Sequence, residues 1–178
     1  MVAAGLRQQD IQELAKTQRM MLRDGVCDLL RLAQQRQVPV HVFSAGIRDI
    51  ITAFFGEHGG ACGAHVVANE MLFDSASRHL TGFAPPLIHS FNKNSATLQA
   101  APSWPLVADR PAVLLLGDSV SDTNMANGFA ADTVLSVGFL NDREDERRSA
   151  HCNAFDVVLV GDGGMDPVVA LLAALVAE

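Results

Sequence analysis

Two aspartates follow a short apolar run, at a place where side chains of an α/β protein face a ligand crevice. Residues 113–116 are typical of a buried strand, and Gly117 ends it. Asp118 and Asp122 come next, with two serines between them. Carboxylates just beyond a parallel strand suit a hard cation and a phosphate. The stretch therefore predicts a metal and phosphate rim, although a turn residue and a first-turn helix carboxylate explain the two aspartates equally well.

Two further segments could serve a phosphate. Ser44, Ala45 and Gly46 follow a predicted strand at 38–43 and precede an amphipathic helix, so their N–H groups and the serine hydroxyl could hold phosphate oxygens. An ordinary N-cap serine is the alternative, and the commoner case. Lys93 lies in an Asn-Lys-Asn sequence, where its ammonium could neutralise a phosphate and an attacking carboxylate. Read alone, Lys93 is better interpreted as an exposed surface lysine.

Strands and helices alternate along the chain. We predict strands at 38–43, 65–69, 113–116, 133–137 and 155–160, and a surface hairpin within 71–83. Helices are predicted within 10–37 with a break at Asp24-Gly25, after Gly46, from Asp122 to about Gly128, and over 141–149 and 166–177. Residues 101–111 are interpreted as a loop. The alternation indicates an α/β fold with a mainly parallel sheet.

Composition restricts the class of protein. The 178 residues are 49% hydrophobic and 19% charged, which suits a single globular domain. The net charge of −7, without a run of Lys and Arg, disfavours nucleic acid or a membrane surface as partner. Three widely spaced cysteines indicate neither a disulfide framework nor a metal knuckle. No long apolar run or signal sequence is apparent, so we expect a cytoplasmic protein.

Other candidate groups are weaker. His41 lies within an apolar strand, as a core or edge histidine does, whereas His89 is close to Lys93 and has a better claim to a crevice. Residues 161–164 are rich in glycine but lack a nucleotide-binding spacing, so we interpret them as a turn. The charged residues 142–148 have the spacing of a solvated helix face that could reach the rim of the site.

The motifs, taken in order, resemble a known family. Ser44, Lys93 and Gly117-Asp118 with Asp122 match the second, third and fourth signature elements of haloacid-dehalogenase-like phosphohydrolases. The surrounding sequence is similar to that of the cytosolic pyrimidine 5'-nucleotidases, the type III nucleotidases that include the 7-methylguanosine-monophosphate form. Four phrases carry this similarity: Val-Phe-Ser-Ala-Gly-Ile at 42–47, His-Ser-Phe-Asn-Lys-Asn at 89–94, Leu-Leu-Gly-Asp-Ser at 115–119, and Gly-Phe-Leu-Asn-Asp-Arg at 138–143.

The resemblance implies hydrolysis of a nucleoside 5'-monophosphate with Mg²⁺. Asp118 would bind the metal, and Ser44 with the Ala45 backbone would hold the phosphate. Lys93 would balance the phosphate charge, and Asp122 would orient Lys93 or a metal-bound water. The implied fold is a Rossmann-like, mainly parallel sheet of the haloacid-dehalogenase-like type. In it, residues 1–37 are a remnant of a helical cap and residues 38–178 form the core without its first strand.

One signature element of that family is missing. Its first motif, Asp-x-Asp after a strand, supplies the nucleophile and the acid/base, and no Asp-x-Asp occurs in this sequence. The strand with that motif lies between those ending here at Phe43 and Leu116, so its loss predicts two unpaired strand edges.

We therefore expect an N-terminally truncated 5'-nucleotidase that cannot form the phosphoaspartate intermediate alone. The alternative is a non-catalytic nucleotide-binding, phosphate-binding or regulatory fragment. A phosphoacceptor signalling domain ranks last, because Ser44-Ala45-Gly46 stands where such a domain needs an acidic pair.

Overall fold

A computed structural model describes residues 2–17 and 21–177. The helices are α1 (Asp10–Thr17), α2 (Val26–Gln35), α3 (Arg48–Glu57), α4 (Ser95–Gln99), α5 (Glu144–Ala154) and α6 (Asp166–Leu175). The strands are β1 (His41–Ile47), β2 (His65–Asn69), β3 (Met71–Phe73), β4 (Leu80–Phe83), β5 (Ala112–Gly117), β6 (Thr133–Leu140) and β7 (Val157–Val160). Short 3₁₀ segments cover Val2–Ala4, Trp104–Leu106 and Val120–Ala126. None of the helices described has the length and apolar character needed to cross a membrane.

The strands form two parallel sheets and one hairpin. β1 pairs in parallel with β2, and β5, β6 and β7 form a parallel sheet in that order. The predicted surface hairpin is present as the antiparallel pair β3 and β4. Within the described ranges, β1 pairs only with β2 and β5 only with β6. The α/β class and the mainly parallel pairing are thus confirmed, and each of the strands β1 and β5 has one edge without a strand partner.

The main core lies between two helices and the inner strand of the larger sheet. It is built from buried side chains of α2, α6 and β6: Leu29, Ala33, Val137, Phe139, Val168 and Leu172. In β6, Ser136–Leu140 are all buried, because helices pack against this part of the strand: α2 and α6 share its core cluster, and α5 also contacts it. No residue of β1 is as deeply buried as these five residues of β6. The strand that leads to Ser44 is therefore less covered than the centre of the sheet.

The first helix belongs to a second apolar cluster. Ile11 of α1 packs with Met71 and Leu80 of the hairpin, and these three side chains are buried. The predicted helix pattern continued through Met21, but the structure ends α1 at Thr17, and residues 18–20 lie outside the described ranges. Met21 is 86% exposed, so its apolar side chain does not extend the buried face of a helix.

Two local predictions at the site are wrong. β1 begins at His41 and continues to Ile47, so Ser44–Gly46 are part of an irregular strand and not a turn that opens a helix. The N-cap of α3 is Ile47, which excludes Ser44 from the capping role. Helix α4, which precedes the predicted loop at 101–111, was not predicted from the sequence; the Asn94 side chain caps it by accepting from the Thr97 N–H.

The contact between Gly138 and Phe155 predicts a large steric effect. A Cβ on Gly138 would lie 2.4 Å from the buried Phe155 ring, whereas a Cβ on Gly56 of α3 would meet nothing within 4 Å. We expect Gly138→Ala to lower the free energy of unfolding by about 1–3 kcal/mol. Gly56→Ala should raise it by about 0.5–1 kcal/mol through helix propensity. Urea denaturation measures both, and equal effects would contradict this packing.

A histidine pair at the start of the smaller sheet predicts pH-dependent stability. His41 pairs with His65 across β1 and β2, and its Nε2 lies 2.8 Å from the Ser103 hydroxyl. Burial, with the His65 charge, lowers the pKa of His41 from 6.5. The unfolded chain then takes up the proton first, so stability is retained above pH 6.5 and falls as the pH drops through the folded-state pKa.

The measurement is the melting temperature between pH 7.5 and 5, compared with His41→Gln. The wild-type protein should lose more stability over this window, because glutamine does not titrate. Hydrogen bonds from Ser77 lower the pKa of Asp74, and those from Ser136 lower the pKa of Asp156. The stability that these two carboxylates contribute is therefore lost only at more acidic pH. Parallel curves for the two proteins would rule out His41 as the source.

Candidate active site

Asp122 folds back over the end of β5. Its Oδ2 accepts hydrogen bonds from the N–H groups of Asp118 and Ser119, each at 3.2 Å. A Cβ on Gly117 would lie 2.5 Å from the Asp122 Cβ, so only glycine at position 117 leaves room for the Asp122 side chain. Asp122 is 6% exposed, and the 3₁₀ segment Val120–Ala126 begins with the capping box that Ser119 and Asp122 form. The sequence predicted both aspartates at this strand end, and the structure places them there.

Lys93 and Asp122 form a buried ion pair. Lys93 Nζ lies 2.7 Å from Asp122 Oδ1, and the two side chains are 13% and 8% exposed. The loop before Lys93 is held by Asn92, whose amide accepts from the His89 N–H and donates to the Leu87 carbonyl. Lys93 is therefore not an exposed surface lysine, and the structure brings it to the end of β5.

The Asp118 carboxylate is available for a ligand. Asp118 is exposed, and within the described ranges its carboxylate makes no hydrogen bond or ion pair. An oxygen donor at a strand end fits Mg²⁺, which binds through one or two carboxylates and completes its shell with water and phosphate. In the described part of the chain, no group of three or more His, Cys, Asp or Glu side chains could hold a metal ion. Asp118 thus fits as one ligand of a shell whose other members come from elsewhere.

Ser44 and Ala45 lie at the irregular end of β1. The Ser44 hydroxyl accepts a hydrogen bond of 3.0 Å from the Gly46 N–H. Ala45 and Gly46 are exposed, so this backbone can be reached by a ligand. Within the described ranges Ser44 makes no hydrogen bond with Lys93. The two segments are joined through the Asn69 side chain, which donates to the carbonyls of Ala45 and Ile88.

Three residues near the site were not singled out from the sequence. Asn69 ends β2 and touches both phosphate-related segments. His151 of α5 is buried, with its Nε2 3.3 Å from the Asp118 carbonyl oxygen. Arg23 donates to the Gly163 carbonyl and to Asn141 Oδ1, and its guanidinium lies over the Phe139 ring. Asn69 could have been found by examining the carboxyl end of every predicted strand; no local pattern marks the other two.

The remaining candidates lie away from this arrangement. His41 is bound to Ser103 at the amino end of β1, opposite the end that carries Ser44. His89 is exposed, and its Nδ1 accepts from the Phe91 N–H. Asp142 forms an exposed ion pair with Arg147, as expected for a solvated helix face. None of these contacts reaches the Lys93–Asp122 pair.

The burial of this pair predicts strong energetic coupling. We expect Lys93→Met and Asp122→Asn each to lower the free energy of unfolding by about 3 kcal/mol, because each leaves a buried group without its partner. The double variant should lose clearly less than the sum of the two. Arg148→Met, which removes the exposed pair with Glu144, is the control and should cost less than about 0.5 kcal/mol. Additive losses in a denaturant double-mutant cycle would contradict the coupling.

Comparison with known proteins identifies relatives over nearly the whole chain. The 7-methylguanosine phosphate-specific 5'-nucleotidase of Gallus gallus is 35% identical over 171 residues, covering 95% of this chain and 59% of that protein. The Homo sapiens protein of the same name is 34% identical, covering 91% of this chain and 54% of that protein. This chain therefore spans between half and three-fifths of the length of these relatives.

A solved structure shares the fold. Cytosolic 5'-nucleotidase IIIB, crystallised with cytidine, superposes with a TM-score of 0.81 at 30% identity, covering 96% of this chain and 56% of that chain. The model of the pyrimidine 5'-nucleotidase family, UMPH-1, matches residues 1–176. With the order of Ser44, Lys93 and Asp118 along the fold, these matches establish that the chain belongs to the pyrimidine 5'-nucleotidase (UMPH-1) family.

Proposed function

We propose that this chain supplies the phosphate-holding and metal-binding groups of a Mg²⁺-dependent 5'-nucleotidase. The reaction is hydrolysis of a nucleoside 5'-monophosphate to nucleoside and phosphate. The observation that carries the proposal is the buried Lys93–Asp122 pair, whose Asp122 carboxylate also binds the backbone N–H of the exposed Asp118. A fixed ammonium next to an available carboxylate can receive a phosphate and a divalent cation together.

Each residue has one role in this proposal. The Ser44 hydroxyl and the Ala45 backbone hold phosphate oxygens, and Lys93 balances their charge. Asp122 fixes the Lys93 ammonium, as its 2.7 Å contact supports. Asp118 holds Mg²⁺, which supplies Lewis-acid stabilisation of phosphate charge when bound. Phosphoryl transfer depends mainly on positioning and electrostatics, and the described side chains are suited to both.

The relatives suggest the substrate class. Two are named as specific for 7-methylguanosine phosphate, and the solved relative is a cytosolic 5'-nucleotidase with bound cytidine. We propose that the substrate of this chain is a nucleoside monophosphate of the pyrimidine or 7-methylguanosine type, and that the protein is located in the cytoplasm. Residues 1–37 are assigned to the remnant of a base-selecting cap and residues 38–178 to the core.

The nucleophile and the acid/base belong, in this proposal, to a strand outside the 178 residues. The sequence contains no Asp-x-Asp. Within the described ranges, β1 and β5 each have one strand partner, so each has an edge at which a further strand can pair. The missing Asp-x-Asp motif also favours the non-catalytic alternative, in which the chain binds nucleotide without hydrolysing it.

The first experiment separates binding from chemistry. We expect the folded chain to bind CMP and 7-methyl-GMP, with Mg²⁺, and to release no phosphate from either. Lys93→Met should weaken CMP binding about tenfold to a hundredfold, because it removes a charge-assisted contact. Asp118→Asn should abolish Mg²⁺ binding. Calorimetry measures both affinities, and a phosphate-release assay measures turnover.

Exposed residues provide matched controls. Lys16→Met and Asp145→Asn make the same chemical changes on the surface and should leave both affinities unchanged. A folded wild-type chain that binds neither nucleotide nor Mg²⁺ would refute the proposal. Robust phosphate release that Asp118→Ala abolishes would instead show that the nucleophile lies within this chain.

A further inference from the structure

Asn69 joins the two phosphate-related segments of the site. It is the last residue of β2, the strand that pairs with β1, and it is half-buried. We infer that Asn69 is a positioning residue that sets the spacing between the Ser44–Ala45 backbone and the loop that carries Lys93. This inference rests on the proposed function for the roles of those two segments, but the connection between them stands on geometry alone.

Asn69 makes three hydrogen bonds. Its Nδ2 donates to the carbonyl of Ala45 at 2.8 Å and to that of Ile88 at 3.0 Å. Its Oδ1 accepts from the Ile88 N–H at 2.7 Å. The orientation of the amide is fixed, because the two carbonyls cannot donate and the N–H cannot accept. Both hydrogens of the Nδ2 and one lone pair of the Oδ1 are thereby used.

The contact with Ala45 replaces a lost backbone partner. β1 and β2 are in register at Phe43 and Val67 and again at Ile47 and Asn69. The strand β1 therefore has two more residues than β2 over this interval, and the ladder is interrupted around Ala45. An amide side chain from the neighbouring strand satisfies the Ala45 carbonyl there, and so holds the exposed backbone at the position expected to face phosphate.

The contacts with Ile88 fix the loop of Lys93. Asn69 binds both the N–H and the carbonyl of Ile88, as a neighbouring strand would. Ile88 is buried, whereas Leu87 is 54% and Phe91 93% exposed, so apolar packing does little to hold the rest of the loop. Asn92 continues the connection by bridging Leu87 and His89 immediately before Lys93. Movement at Asn69 is thus transmitted to the ammonium.

A purely structural asparagine and a positioning asparagine predict different results. Loss of a merely structural contact lowers stability throughout the fold and leaves the ligand affinities of folded molecules unchanged. Loss of a positioning contact loosens the Lys93 loop selectively and weakens phosphate binding. Mg²⁺ binding at Asp118 should survive, because the Asp118 loop is held by Asp122 and not by Asn69.

Amide hydrogen exchange tests the positioning without any ligand. Asn69→Leu keeps the size of the side chain and removes all three hydrogen bonds. We expect exchange at Ile88 to become about tenfold faster or more, with smaller increases through Lys93 and none in β6. Asn153→Leu, on the exposed face of α5, is the matched control and should change none of these rates. Unchanged exchange at Ile88, or a uniform rise that includes β6, would overturn the inference.

Calorimetry with CMP and with Mg²⁺ adds the functional arm. Asn69→Leu should weaken CMP binding about tenfold and leave Mg²⁺ affinity within about twofold of wild type. Equal losses for the two ligands, or no loss for CMP, would refute the positioning role. In Asn69→Ser, the hydroxyl can make only one of the three hydrogen bonds, so we expect smaller changes in the same direction. This variant decides the question if Asn69→Leu does not fold. If wild type binds neither ligand, the proposed function fails, and the exchange rates alone decide the role of Asn69.

Discussion

The site depends on a single carboxylate that uses both of its oxygens. Asp122 binds the Lys93 ammonium through Oδ1 and the N–H groups of Asp118 and Ser119 through Oδ2. A buried carboxylate is tolerated only when such partners compensate for its lost hydration. The Asp122 side chain therefore holds the Lys93 ammonium in place and also shapes the end of β5. Gly117 is required because any larger residue would occupy the space into which Asp122 returns.

Side chains satisfy backbone groups at the carboxyl ends of β1 and β5. In a continuous parallel sheet, the loops at the carboxyl ends are held by neighbouring strands on both sides. Within the described ranges, β1 and β5 have one such neighbour each. Asn69, from the paired strand β2, satisfies the Ala45 carbonyl where the register of β1 changes, and Asp122 satisfies the N–H groups at the end of β5. Side-chain hydrogen bonds therefore help to hold the backbone of the candidate site at both strand ends.

Local sequence predicted the elements better than the contacts between them. β2 and β5 were predicted within one residue at each end, because each is a short run of apolar and β-branched residues with clear flanks. The irregular strand at Ser44 was not, because its path depends on a register change and on Asn69, 25 residues later in sequence than Ser44. Helix α4 was missed because it is short, polar and defined by a cap at Asn94. The ends of β5 and the positions of its aspartates followed from spacing. For Lys93, local sequence favoured a surface residue, the family resemblance favoured a phosphate-binding role, and only the fold showed its burial.

The charges of the site give a physical reason for the proposed divalent cation. Lys93 and Asp122 neutralise each other at 2.7 Å, so Asp118 leaves the three groups with one net negative charge. A nucleoside monophosphate carries further negative charge and would be repelled by Asp118 in the absence of a counterion. A divalent cation held by the Asp118 carboxylate would offset this repulsion. In the proposed function, Lys93 balances phosphate charge from a fixed position, because Asp122 holds its ammonium at 2.7 Å.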